Sequence, residues 1–393
     1  MNRVIYLSSW SLFSQEGRVQ VPFIYEQIGA LSFQCQAIYF EVKFIEYYRW
    51  VLLPASKKIY RIKNDYWSEY NVNHYILVIP KISTRLTNRE TYEDLYWASK
   101  KVSKLVRQVI GKIDLIHCHT VLDQGAFAFG LSKHLNVPLL YQEHSAPFEM
   151  HLDDDKKKEI VAKIIDHAKA IVAVGPFLAK RMIQFSPSIK KKIQVIPEMI
   201  NTDVFKLEPN DFDIRRPKLI SIGALVERKG YQYLIRAVNK LIITGIDIHL
   251  TIIGEGNYRN ELEEIISNLK LQHRVILTGH LEKEQISEQI KKSNLYVHSS
   301  LRETFGIAPT EALLMGRPVV STRCEGPEYY INDSNGILVN KESVDELIVG
   351  IEKVINNWSN YDGEVLRRSV EKKFGKVAFL QQMTELYEQT INK

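Results

Sequence analysis

In the stretch "RETFGIAPTEALLMGRPVVST" (302–322) two carboxylates, Glu303 and Glu311, stand on either side of what reads as a helix start. Pro309 suits a first helical turn, and Glu311, placed by the pattern in that same turn, complements the helix dipole. Local structure therefore accounts for Glu311 but not for Glu303. Chemistry accounts for both. An ionised carboxylate only accepts hydrogen bonds and can take two from a vicinal diol. Gly306, with the N–H groups of Ile307 and Ala308 behind it, makes a cradle for phosphate oxygens.

Other loops carry residues of the same kind. In "GALVERKG" (223–230) Gly223 ends a strand and Lys229 precedes the Gly230 that opens a helix. An ammonium beside a helix N-terminus suits phosphate, although a merely solvated lysine gives the same pattern. In "IIGEGNYRNEL" (252–262) Gly254 and Gly256 permit a tight turn. A dinucleotide loop needs a third glycine where Arg259 stands, so a nicotinamide cofactor fits poorly. In "LTGHL" (277–281) Gly279 either just ends a strand or exposes backbone to a base edge. His117 and His119 alternate in "DLIHCH" (114–119), so they share one face at a strand's carboxyl end; a satisfied core pair is the competing reading. Two glutamates flanking a phosphate cradle, one for a sugar and one for a ribose, suit a nucleotide-sugar. No Asp-x-Asp pair lies at a suitable strand end, and "DDD" (153–155) runs into three lysines like a solvated helix, so no obligatory metal is expected.

These residues need strands and helices to position them. Short β-branched runs at 4–9, 36–42, 74–80, 115–120, 138–144, 170–175 and 193–198 read as strands. A second series follows at 218–224, 248–256, 274–280, 295–300, 318–322 and 336–340. Amphipathic stretches such as "YQYLIRAVNKLII" (231–243) alternate with them. The alternation predicts an α/β chain: parallel sheets with helices on both faces, in two doubly wound domains. The boundary is expected near "FKLEPNDFDIRRPK" (205–218), which is polar, holds two prolines and has no period. In open sheets of this kind ligands lie beyond the carboxyl ends of strands, where the loops above fall.

A chain of 393 residues, 45% hydrophobic and 25% charged, suits two globular domains. Cys35, Cys118 and Cys324 are far apart, odd in number and without metal spacing, which fits a reducing compartment. The N-terminal apolar run is too short for a signal or a membrane span, so a cytoplasmic protein is expected. Charge is uneven: residues 1–206 hold 28 Lys and Arg against 20 Asp and Glu, the remainder 24 against 26. A basic first half is either a solvated surface or an attraction to an anionic membrane face or a phosphate-bearing acceptor. No nucleic-acid-binding signature accompanies it. The segment 43–70 mixes Lys and Arg with Tyr and Trp, which suits helix packing or a surface resting on the inner face of a membrane.

Taken in order, the motifs resemble glycosyltransferase family 4, the retaining enzymes of GT-B architecture. Glu303 and Glu311 match its Glu-x7-Glu signature, and Gly316-Arg-Pro-Val-Val its Gly-x-Pro-Val-Val continuation. "GALVERKG" resembles the family's Gly-Arg-Leu-x3-Lys-Gly element, "IIGEG" its Gly-x-Gly turn, and "EGPE" (325–328) its later Gly-Gly-x-x-Glu-like loop. "DLIHCH" resembles the Asp-x-x-His-x-His strand end, "YQEHSAPF" (141–148) the next strand with its terminal His144, and "VIPEMINTDVF" (195–205) the "IPNGVDxxxF" element.

The resemblance implies two Rossmann-like domains facing across a cleft: 1–205 binding an acceptor and 206–373 binding a nucleotide-sugar. A C-terminal helix, 374–393, packs back toward the first. By the same resemblance Lys229 binds the donor diphosphate, Glu311 the ribose and Glu303 the transferred sugar. His119 lies near the reacting centre, with His144 beside it on the acceptor side. Gly223, Arg228, Gly254, Gly279, His280, Thr304, Phe305, Gly306 and Ile307 complete the expected donor site. The co-substrate is UDP- or GDP-linked, with no obligatory cofactor. The acceptor is a glycan or lipid-linked hydroxyl, as in cell-surface polysaccharide synthesis, with peripheral contact to an anionic membrane.

Three positions depart from the family pattern. Ala224 stands where an arginine is expected, and Arg228 is read as its substitute; Glu198 and Met199 replace Asn-Gly; the loop from residue 8 lacks its glycine pair. Rival readings are a catalytically silent GT-B partner, a nucleotide-sugar epimerase, and a phosphorylase whose Schiff-base lysine has no evident setting.

Overall fold

Parallel strands dominate the computed structural model, which describes residues 1–8, 21–47, 58–62, 70–82, 92–121, 124–144, 148–209, 213 and 216–392. The chain forms two compact units, Met1–Pro197 with Leu380–Lys393, and Glu198–Phe379.

The first unit is built on β1 (Arg3–Ser8), β2 (Gln36–Tyr47), β3 (Lys58–Ile62), β4 (Val72–Ile82), β5 (Leu115–His119), β6 (Leu139–Glu143), β7 (Ala170–Ala173) and β8 (Ile193–Val195). They form one sheet in the order β3-β4-β2-β1-β5-β6-β7-β8. Helices α1 (Pro22–Leu31), α2 (Tyr92–Ile110), α3 (Gln124–Leu135), α4 (Asp155–His167) and α5 (Pro176–Phe185) connect them. Every residue of β5 and β6 is buried, as expected for strands covered on both faces. The "DDDKKK" run starts α4 as expected: Asp154 caps it, accepting from the Lys157 N–H at 2.8 Å.

One expectation needs correction. The first sheet is not wholly parallel, because β3, which the strand pattern did not reveal, runs antiparallel to β4. Only nine residues, 63–71, join the two, too few for the crossover of a dozen or more that a parallel neighbour needs. This strand lies inside the basic, aromatic segment 43–70, whose side chains, apart from Tyr70, lie outside the described residues.

The second unit holds β9 (Lys218–Ile222), α6 (Tyr231–Ile243), β10 (His249–Ile253), α7 (Arg259–Asn268), β11 (Val275–Leu277), α8 (Lys283–Lys291) and β12 (Leu295–His298). α9 (Ile307–Leu314), β13 (Val319–Thr322), β14 (Gly336–Val339), α10 (Val344–Asn356) and α11 (Gly363–Phe374) follow. Its sheet is wholly parallel, in the order β11-β10-β9-β12-β13-β14. Leu234, Val238 and Leu241 of α6, at helical spacing, pack with Leu250, Ile252 and Val297 of the sheet and Ile351 of α10. Full burial of each such side chain stabilises by about 1.5–3 kcal/mol.

By contact the two compact units divide at Pro197/Glu198, a few residues before the expected boundary. The polar look of 205–218 concealed buried anchors just before it: Met199, Ile200 and Phe205 are buried, and the Ile200 N–H donates to the Phe374 carbonyl at 2.9 Å. The last helix, α12 (Lys376–Asn392), belongs to the first unit from Leu380 onward.

Candidate functional site

Strand order reverses between β9 and β12, where Leu219 faces Leu295 and Ile220 faces Tyr296. At such a switch point the loops beyond the two strands part and leave a crevice. Here the loops are fastened together: the Leu301 N–H donates to the Arg228 carbonyl at 2.8 Å, and the Ser299 hydroxyl to the Lys229 carbonyl at 2.9 Å.

This fastening brings Lys229 against Glu303. Their side chains, 14% and 11% exposed, form an ion pair through Lys229 Nζ and Glu303 Oε1. The Ser300 hydroxyl donates to the same oxygen at 3.0 Å, and His298 Nε2 lies 3.4 Å from it. Burial pushes the Glu303 pKa up, but the Lys229 ammonium and His298 beside it hold the carboxyl well below the usual range. Backbone bonds fix the carboxylate's root: the Glu303 N–H donates to the Cys324 carbonyl (2.8 Å), and the Gly326 N–H to the Glu303 carbonyl (3.2 Å).

Gly306 caps α9 with φ +83°, a conformation that a side chain resists, and Tyr330 donates its hydroxyl to the Gly306 carbonyl at 2.7 Å. The helix therefore starts at Ile307, three residues before Thr310, and Glu311 falls in its second turn, not in the first as the sequence pattern placed it. Glu311 is still buried, and both it and Glu303 raise the pKa of the buried Tyr296 phenol, an effect secondary to burial. Phe305 turns its ring into the core against Tyr330 and Phe374, so it offers a ligand backbone rather than side chain. Thr304 and Ile307 are half-buried on either side of the cap.

The expected glycines meet at the strand ends. The Gly223 N–H donates to the Ile253 carbonyl at 2.9 Å and the Gly254 N–H to the Gly279 carbonyl at 3.0 Å. A Cβ on Gly254, at φ +146°, would collide with the Gly223 carbonyl oxygen. A Cβ on Gly223 would lie 3.4 Å from Lys229 Nζ, which places this glycine beside the cation. Arg228 is exposed, its guanidinium 3.4 Å from the Arg302 carbonyl. His280 is exposed as well, with Glu282 3.8 Å from its Nε2. Among the described residues neither shows a hydrogen bond or ion pair to Lys229 or Glu303, although the Arg228 charge is felt by the buried His298 that contacts Glu303.

The first unit gathers the histidines at its own switch point, between β1 and β5. His117 and His119 do share a face, with ring centroids 4.3 Å apart. His119 Nδ1 lies 2.9 Å from His144 Nε2, and its other nitrogen, fully buried, has no hydrogen-bond partner among the described residues. His117 is satisfied: Tyr387 OH lies 2.8 Å from Nδ1 and Gln142 Oε1 3.1 Å from Nε2. So the satisfied-core reading fits His117 and leaves His119 as the chemically open member. The loop after β1 and residues 145–147 lie outside the described residues. Among those described, no group of three or more His, Cys, Asp or Glu could hold a metal, and no helix is long and apolar enough to cross a membrane.

Sequence reasoning missed His298 and Ser300. Both follow Tyr296 at a spacing of two on or just beyond β12, the period of one strand face, and that face leads directly to Glu303.

Two family profiles match adjoining stretches of the chain: Glycosyltransferase Family 4 over residues 62–204 and Glycosyl transferases group 1 over 205–372. An uncharacterised glycosyltransferase of Methanocaldococcus jannaschii is 26% identical over 282 residues, covering 67% of this chain and 72% of the relative. The alpha-D-kanosaminyltransferase of Streptomyces kanamyceticus is 26% identical with the same coverage of both chains. Among solved structures, Anabaena HepE in complex with UDP superposes with a TM-score of 0.73 at 18% identity, covering 98% of this chain and 100% of that one. Sucrose-phosphate synthase from Thermosynechococcus elongatus gives 0.72 at 19% identity, over 99% of both.

Proposed function

We propose that this chain, which belongs to glycosyltransferase family 4 and has the GT-B fold, transfers a sugar with retention from a nucleotide-diphosphate sugar to a glycan or lipid-linked hydroxyl. The observation that carries the reading is the pairing of Lys229 with Glu303 at the β9/β12 switch point, with the Gly306 cap of α9 following Glu303. Lys229 and the first N–H groups of α9 neutralise the charge that grows on the leaving diphosphate, with Arg228 at the loop edge. Glu303 holds the sugar and Glu311 the ribose. His119, with its open nitrogen, serves the acceptor side together with His144. The acceptor hydroxyl attacks from the face the diphosphate leaves, passing its proton to the departing phosphate. Loss of one preorganised charge-stabilising donor typically costs about 3–4 kcal/mol of barrier. UDP is the first nucleotide to try, since the HepE structure holds it. The acceptor belongs to a surface polysaccharide, and the basic first half rests on the inner face of the membrane.

A thermal-shift titration against UDP, GDP and ADP with their sugars tests the donor site. A true ligand at ~100 times its dissociation constant stabilises by about 2.7 kcal/mol. No shift with any of them would overturn the reading. Ala224 and Glu198, the departures from the family pattern, favour a silent binding protein; release of nucleoside diphosphate with a supplied acceptor excludes it.

A further inference from the structure

Glu303 receives three side-chain contacts, and all of them fall on one oxygen: Lys229 Nζ, Ser300 Oγ at 3.0 Å and His298 Nε2 at 3.4 Å all meet Oε1. Oε2 has no partner among the described residues. His298 is itself 3% exposed, and its Nε2 makes no close hydrogen bond among the described residues; Glu303 Oε1, 3.4 Å away, is the acceptor that faces it. Burial lowers its pKa, which keeps the imidazole neutral. In the tautomer that carries its proton on Nε2 this N–H is buried and unbonded, which is costly, and the acceptor standing before it is Glu303 Oε1.

A diphosphate that engages Lys229 draws the ammonium away from Glu303. The carboxylate is then buried beside an anion with one cation fewer, and only a donor that brings no competing positive charge can hold it without also trapping the phosphate. A neutral imidazole is such a donor. We infer that His298 is a positioning residue: as Lys229 turns to the diphosphate, Glu303 Oε1 closes onto the His298 N–H and the Ser300 hydroxyl, and Oε2 is presented to hydroxyls of the transferred sugar. Two fixed donors on one oxygen set the carboxylate's torsion, which a single hydroxyl does not. The inference rests on the proposed donor site and adds to it a division of labour between the two oxygens of Glu303.

Calorimetric titration of matched pairs, UDP with UDP-glucose and GDP with GDP-mannose, separates the two claims. His298→Leu is expected to bind the bare nucleoside diphosphate within about twofold of wild type and the sugar conjugate about tenfold more weakly. His298→Gln, whose amide restores an N–H, recovers most of that loss. Ser300→Ala, which removes the other donor to Oε1, repeats the selective loss and keeps the test open should the Leu variant not fold. Equal weakening of both ligands in these variants, or no weakening of the conjugate, overturns the inference and leaves the donor site standing. A wild-type chain that binds neither nucleoside diphosphate overturns the donor site and the inference with it.

Discussion

Arg317 and Glu208 lie 109 positions apart in sequence, yet the Arg317 guanidinium Nη1 donates to the Glu208 carbonyl at 2.9 Å. The same fully buried side chain donates to the carbonyls of Pro209 (3.0 Å), Lys291 (2.9 Å), Ile290 (3.2 Å) and Met315 (2.8 Å). It thus ties the stretch entering the second unit to the ends of α8 and α9. Arg317→Met strands these carbonyls, and Arg317→Lys cannot reproduce the planar fork. We expect either change to destabilise the second unit by on the order of 3 kcal/mol, read as a lowered urea midpoint. Nucleotide affinity of the folded fraction stays at the wild-type value. Midpoints equal to wild type would deny Arg317 its structural role.

Lys229→Met leaves Glu303 buried without its cation, and breaking a buried pair in this way typically costs about 3–5 kcal/mol. Adding Glu303→Gln removes the stranded charge, so the double variant is expected to recover most of that stability and none of the transfer activity. Folding lowers the Glu303 pKa, so the unfolded chain takes up this proton first as pH falls. The stabilisation is complete above the unfolded value of about 4.3 and fades below it. Denaturation of Glu303→Gln between pH 7 and pH 3 should therefore show a shallower acid slope than wild type. Parallel slopes would mean that the pair does not form in solution.

Glu325 adopts φ +83°, ψ −76° at the start of the turn that follows Glu303, a conformation that a side chain resists. Glu325→Ala keeps the strain and loses the carboxylate's bond to the turn, whereas Glu325→Gly relieves the strain. The glycine variant is expected to be more stable than the alanine variant by about 1–2 kcal/mol. The reverse order in a thermal melt would show that the turn is not strained.

How far the sequence foretold this arrangement depended on how local each signal was. Strand-helix alternation exposed both sheets, because a strand buried on both faces is a continuous apolar run, as in "AIVAV" (170–174). It did not expose β3, whose "KIYRI" is short, basic and set among aromatics that suit a helix equally well. The Glu-x7-Glu spacing carried Glu303 and Glu311, but not the helix turn that holds Glu311: with Gly306 as cap, the first turn closes at Thr310, one residue before it. Lys229 was legible as a cation before a helix; its pairing with Glu303 was not, because that contact depends on two loops fastened across neighbouring strands. Arg317 looked like the variable position of a motif because carbonyl partners leave no trace in side-chain identity.

The buried histidines of the first unit give the last expectation. Burial, reinforced by His144, pushes His117 down to about 3, and burial with both neighbours holds His119 well below the ordinary histidine value. Both imidazoles are therefore neutral throughout the physiological range in the folded chain, while the unfolded chain protonates them near pH 6.5. Because these folded pKa values are depressed, the unfolded state binds more protons below pH 6.5, and stability falls with pH from there down to the folded values. The slope is at most about 1.4 kcal/mol per pH unit for each imidazole. Urea unfolding followed by a probe in the first unit should weaken from pH 6.5 downward, two units before the Glu303 effect begins in the second. His117→Gln, which retains a polar group near Tyr387 and Gln142, is expected to flatten that slope by the share of one imidazole. The same neutrality means that neither imidazole supplies an acid limb to the pH–rate profile above pH 5. A limb near 6.5 that disappears in His119→Asn would show that His119 titrates in the working enzyme and is not held neutral by its surroundings.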